Sequence, residues 1–81
     1  MNKAKLKPLY DHMIQRFPMG KCITFLLNNT GCPATQIAKE TNTHYSYISL
    51  IINGHRVAPP SVRALIESAL GFDPWDPLSP S

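Results

Sequence analysis

Apolar positions recur along this chain at three- and four-residue intervals and are interrupted by proline and glycine, a pattern that predicts short helices joined by sharp turns. Leu9, Met13 and Phe17 are spaced by four with Ile14 beside them, and Pro8 has the fixed φ that suits a first turn, so a helix is predicted to end before Pro18. Met19, Ile23, Leu26 and Leu27 carry a second helix, stopped in left-handed backbone at Thr30-Gly31. After Cys32-Pro33, a two-turn helix over Ala34–Thr41 places Ile37, Ala38 and Thr41 on one side. Asn42 tolerates a left-handed backbone better than other non-glycine residues, which permits a tight turn there. Beyond it, capped by Thr43 or His44, Ile48, Ile51 and Ile52 point inward while Ser46, Ser49, Leu50 and Asn53 point out, and Gly54 closes the helix. Pro59-Pro60-Ser61 starts a further helix, with Pro60 or Ser61 near its cap and Val62, Leu65, Ile66, Ala69 and Leu70 as its stripe. Gly71 ends it, and Phe72 stands where a Schellman motif sets its hydrophobic contact. Three prolines around Trp75 and Leu78 predict that Asp73 to Ser81 is an extended tail whose Trp75 packs back on the body.

The expected fold class is therefore all-α, a compact bundle of four to five short helices. With 81 residues the chain suffices for one domain and a limited core. That domain, 1–81, divides into a basic arm and short helix (1–18), a helical core (19–72) and a Pro-rich tail (73–81). No apolar run reaches eighteen residues, so no membrane span is expected. Neither an apolar stretch nor a small-residue cleavage site follows the lysines of Met1 to Lys7, so no secretory signal is expected and the cytoplasm is the expected location.

Cys22 and Cys32 form neither a zinc knuckle nor a Cys-x-x-Cys redox pair and read as two reduced, buried thiols. His12, His44 and His55 are scattered without an i, i+4 pair, so no metal site is expected. The formal charge of +3 is uneven: Lys3, Lys5, Lys7, Arg16 and Lys21 face only Asp11 at the front, and Glu67, Asp73 and Asp76 stand unopposed at the end. A basic front and an acidic tail suit a protein that presents one face to a polyanion, and suit a mixed solvated surface about equally.

The informative stretch runs from Thr35 to Asn53-Gly54. Ala38 is a small residue in the middle of its first helix, Asn42 lies four positions later, and Ile48 and Ile51 follow at core spacing. Ser46-Tyr47-Ile48-Ser49, Gly54-His55-Arg56 and Ala69-Leu70-Gly71 complete the set. With these features, residues 35 to 54 resemble, without a gap, the helix-turn-helix of the lambda-repressor/Cro superfamily, the XRE-type domain, and the resemblance covers about residues 19 to 72. Two features depart from that pattern. Thr41 and Thr43 flank the turn where the family is apolar, and Pro33 replaces its Ser or Thr cap, which shifts the expected cap toward Cys32.

The resemblance implies a lambda-repressor-like bundle whose helix 44–53 enters the DNA major groove. It implies base contacts from His44, Tyr45, Ser46, Ser49, Leu50 and Asn53, with Leu50 against a thymine methyl. This helix contains no charged residue, so the arginine-to-guanine contact is missing and readout should lean on hydroxyls, apolar contact and DNA shape. Backbone contacts fall to Thr35, Gln36, Tyr47, His55, Arg56 and Arg63, and to Lys3, Lys5 and Lys7 as an arm or as a solvated terminus. The implied function is a sequence-specific transcriptional regulator, a repressor of phage or mobile-element type, acting on double-stranded DNA as a homodimer. The alternative is a protein-binding module of antitoxin or antirepressor type that holds a protein partner. Catalysis is not expected, because no nucleophile–base–acid set, paired carboxylates, phosphate loop or metal spacing is present. Neither a cofactor nor a small-molecule substrate is implied.

Overall fold

A computed structural model describes residues 5–76. Among them the chain forms five helices and no strand: α1 (Leu6–Met13), α2 (Met19–Asn29), α3 (Ala34–Glu40), α4 (Tyr45–Ile52) and α5 (Pro60–Leu70). None is long and apolar enough to cross a membrane. The all-α bundle expected from the periodicity is thus the fold.

Helix α2 is the hub, packing against all four other helices. It can do so because Cys22, Ile23, Leu26 and Leu27 are fully buried and give it a broad apolar stripe. Into the same core α3 sends Ile37 and Ala38, α4 sends Ile48, Ile51 and Ile52, and α5 sends Val62, Ile66 and Leu70. Each aliphatic side chain so buried stabilises the fold by roughly 1.5–3 kcal/mol before chain entropy is set against it. Isoleucine is a mediocre helix former, so α4 is held by this packing more than by propensity.

The helix stops are local and repeat one geometry. After α2, Gly31 (φ 78°) lets the Cys32 N–H reach the Leu27 carbonyl at 3.0 Å; after α4, Gly54 (φ 82°) lets the His55 N–H reach the Leu50 carbonyl at 2.8 Å. Both are Schellman stops. Gly71 (φ 82°) ends α5 with one bond, its N–H to the Glu67 carbonyl at 2.7 Å, the simpler left-handed stop instead of the expected Schellman pair.

Four expectations need correction. Helix α1 starts at Leu6, before Pro8, which sits in the first turn where its missing N–H has no helical acceptor. Its inward row is also different: Leu6 and Tyr10 are buried, Leu9 and Met13 only half so, and Phe17 lies beyond the helix and is 46% exposed. The winner is the row that Phe72 can meet from the far end of the chain, with the Tyr10 and Phe72 rings 5.2 Å apart. Second, Pro33 is itself the extended residue that caps α3, and Pro59 caps α5, each one position away from the residues expected. Third, Cys32 is half-buried, and only Cys22 is a core thiol.

Fourth, the tail is not extended over 73–76. Asp73 is buried, its Oδ1 accepts the Trp75 N–H at 2.9 Å, and the Asp76 N–H bonds the Asp73 carbonyl at 3.2 Å. This turn seats Trp75 against the core, as the sequence suggested. Leu78 lies outside the described residues. Lys7 stands 5.7 Å over the Phe72 ring, so the first helix lies beside the residue that precedes the acidic turn.

Candidate nucleic-acid interface

The connection from α3 to α4 is built by Asn42, the only non-glycine residue with positive φ (54°) among the described residues. In that conformation the Thr43 N–H reaches the Ala38 carbonyl at 2.9 Å and the Asn42 N–H reaches the Lys39 carbonyl at 3.3 Å, the same double stop made elsewhere by glycine. Only the four residues 41–44 separate α3 from α4. Ala38 is buried in one cluster with Ile48 and Ile51, and its single methyl permits close approach of the two helices.

The polar threonines at this turn satisfy each other. The Thr41 hydroxyl lies 2.8 Å from the Ile37 carbonyl and 2.8 Å from the Thr43 hydroxyl, so two half-buried oxygens are paired without water. A pair of hydroxyls therefore does here what an apolar pair would do, which is to leave nothing unsatisfied.

His44 caps α4: its Nδ1 accepts the Ser46 N–H at 3.2 Å and lies 2.8 Å from the Ser46 Oγ. The Ser46 N–H contact favours an Nδ1 that accepts, and the hydroxyl can turn to donate to it, which places the ring proton on Nε2 for an outside acceptor. On the outer face of α4, Tyr45 is 51% and Leu50 39% exposed. Ser46 and Asn53 are exposed beside them and Ser49 is half-buried. The Asn53 amide donates to the Ser49 carbonyl at 2.8 Å and approaches the Ser49 Oγ at 3.4 Å, so part of its donor capacity is already used.

Asn53 also owes its position to a residue that the sequence reading passed over. A Cβ on Gly20 would lie 2.0 Å from the Asn53 Oδ1 and 3.2 Å from its Cα. The end of α4 therefore crosses the start of α2 so closely that a Cβ at position 20 would displace the Asn53 side chain and crowd its Cα. A glycine inside a helical pattern was the available signal.

The expected backbone-contacting residues divide. Thr35 and Gln36 are exposed at the start of α3, with the Gln36 Nε2 3.3 Å from the Glu40 carboxylate. His55 and Arg56 are exposed in the loop after α4, and Lys5 is exposed ahead of α1. Tyr47, by contrast, is half-buried and packs on the core, because its position on α4 turns inward beside Ile48 and Ile51. Arg63 is committed to Asp73, with Nε 2.7 Å from Oδ2 and Nη2 on the same oxygen. That carboxylate holds the Arg63 guanidinium more firmly protonated than usual, with Asp76 and Glu67 adding to the effect. Lys7 is no arm: it lies within α1, paired with Asp11 at 2.8 Å. Lys3 lies outside the described residues.

Gly54 to Ala58, Arg63 and Trp75 wall a shallow depression of about 330 Å³, so the loop bearing Arg56 is bordered by the turn that Asp73 organises. Asp73 was not singled out from the sequence, since its role depends on a partner ten residues earlier. Burial pushes the thiols of Cys22 and Cys32 up from their ordinary value, with Glu40 adding to the shift at Cys32, which disfavours the reactive thiolate. No protein-family model, curated protein or solved structure matches this chain.

Proposed function

We propose that this chain is a sequence-specific DNA-binding regulator of the helix-turn-helix type, a repressor of the phage or mobile-element kind, which sets α4 in the major groove of a two-fold operator. One observation carries the reading: Asn42 turns the chain in left-handed backbone so that Ala38, Ile48 and Ile51 lock two short helices, leaving Tyr45, Ser46, Leu50 and Asn53 toward solvent. The resemblance of residues 19 to 72 to the lambda-repressor/Cro superfamily supports the same assignment. Ser46 and Asn53 supply short polar groups for base edges, Leu50 an apolar contact for a thymine methyl, and the His44 Nε2–H a donor at the helix start. Arg56 and His55 are the exposed groups placed to meet phosphate. Arg63 is exposed but shares its charge with Asp73, Tyr47 packs on the core and Lys7 is paired with Asp11 within α1, so Arg56 leads the backbone contacts of this interface.

Selection from randomised duplexes, followed by gel-shift titration over a range of salt, tests the proposal. A selected site with two-fold symmetry is expected, with affinity falling as salt rises by a log–log slope of about −2 to −3 per copy for two or three phosphate contacts. Ser46→Ala should relax preference at particular bases, and Arg56→Ala should weaken every sequence and lower the slope by about 1. Binding that ignores both sequence and salt would remove the reading.

A further inference from the structure

Helix α4 carries no charged side chain, so what it reads in a groove depends on whether each neutral polar group donates or accepts. In its first turn that sense is fixed. The Ser46 N–H can only donate, and it lies 3.2 Å from the His44 Nδ1, so Nδ1 carries a lone pair and the imidazole proton sits on Nε2. The Ser46 Oγ stands 2.8 Å from the same Nδ1. With Nδ1 an acceptor, that contact is a hydrogen bond only if the hydroxyl gives it its single proton. The oxygen of Ser46, exposed on α4, then has lone pairs alone to offer outward.

We infer that His44 sets Ser46 as an acceptor, so that Ser46 selects a base that presents an exocyclic amino group to it, adenine through N6 or cytosine through N4. This rests on the DNA reading and sharpens it. A serine hydroxyl by itself turns to suit either kind of partner and discriminates little, since the major-groove edge of every base pair holds both donors and acceptors. With its proton committed to His44, Ser46 meets guanine N7 and O6, thymine O4 and adenine N7 lone pair to lone pair. His44 is thus a positioning residue, acting on the base through Ser46. Phosphate oxygens only accept, so a backbone contact to the His44 Nε2–H holds the same tautomer. The hydrogen bonds then run in one sense, from the base amino group to Ser46, from Ser46 to His44 and from His44 to phosphate, and each polarises the next.

The test uses the duplex selected by the full chain, at the base whose preference Ser46→Ala erases. Replacing that base by its analogue without the exocyclic amino group should weaken binding about fivefold or more, and should cost the Ser46→Ala chain no more than the duplex itself loses. Analogues with carbon in place of the ring N7 should leave the Ser46 contribution unchanged. His44→Asn keeps an acceptor oxygen near the place of Nδ1 and should keep the preference for the amino group, whereas His44→Ala frees the hydroxyl and should remove most of it. A cap that only supports the helix would weaken all duplexes alike and leave the preference intact. Without DNA, NMR of nitrogen-labelled histidine in mildly alkaline buffer, assigned by comparison with His44→Asn, should show the His44 proton on Nε2. A proton on Nδ1 overturns the inference, as does a Ser46→Ala chain that loses no base preference, a Ser46 contact that depends on N7 and not on the amino group, or a preference that survives His44→Ala. Each of those results leaves the DNA reading standing, whereas a selection that yields no preferred sequence ends both.

Discussion

Replacing Gly20 with alanine probes the closest approach in the fold. In an unobstructed helix the exchange would stabilise by roughly 0.5–1 kcal/mol, because glycine loses more backbone freedom than alanine on folding. Here the new Cβ would stand 2.0 Å from the Asn53 Oδ1 and 2.7 Å from its Cγ, so the Asn53 side chain must leave. Leaving breaks the 2.8 Å bond to the Ser49 carbonyl, about 1 kcal/mol. The Cα of Asn53, 3.2 Å away, can yield only if α2 and α4 separate by a few tenths of an ångström, which costs about 1 kcal/mol more through Ile23 and Ile52. The balance is a loss of about 1 kcal/mol, or roughly 4–8 °C in Tm for a domain of this size. Thermal and urea unfolding followed by circular dichroism measure it. In an Asn53→Ala background the obstructing amide is gone, so the penalty should shrink and a double-mutant cycle should show coupling of about 1 kcal/mol. Stabilisation by Gly20→Ala alone, or strict additivity of the two changes, would refute the crossing geometry.

Three further outcomes follow from the geometry. Asn42→Gly should be close to neutral, whereas Asn42→Ala forces a Cβ into left-handed backbone at φ 54° and should lower the urea-derived stability by about 1 kcal/mol or somewhat more. Burial pushes the Tyr10 phenol up to about 12, with Cys22 and Asp11 adding to the shift, so the fold favours its neutral form. Stability from this group is intact below pH 10 and is lost as pH rises from there through about 12, roughly 2–3 kcal/mol in all. Tyr10→Phe should flatten that alkaline loss in a pH series of unfolding midpoints, leaving the part due to the Cys22 and Cys32 thiols, and an unchanged slope would contradict the burial argument. Asp73→Asn removes the charge that grips Arg63 and should red-shift the emission of Trp75, the sole tryptophan, as the turn over 73–76 loosens. Emission identical to the parent chain would show that Trp75 is seated by packing alone.

Much of the bundle was legible because its signals are local. Ile48, Ile51 and Ile52 read inward from spacing, and Gly31, Asn42 and Gly54 read as stops because positive φ restricts the residue type. What spacing does not decide is which of two competing rows a distant element will cover. In α1 the row Leu9–Met13–Phe17 was the more apolar, but Phe72 reaches Tyr10 and tertiary contact won. The candidate interface was legible in the same measure. Outward residues of α4 followed from periodicity, but the fates of Arg63 and Lys7 depended on the acids beside them, and Lys7 lost its place in an arm once α1 began at Leu6. Gly20 could be seen as a glycine within a helix, yet nothing in the sequence named Asn53 as its neighbour.

The repeated left-handed stops after α2, α3 and α4 bear on how fast the chain reaches its native state. Each helix end is written into three or four adjacent residues and needs no remote contact to form, so loop closure imposes little delay before the helices can meet. Refolding from urea should be complete within milliseconds, as for other helical bundles of low contact order. Substitutions at Gly31 or Asn42 should then slow refolding only so far as those turns have formed at the barrier.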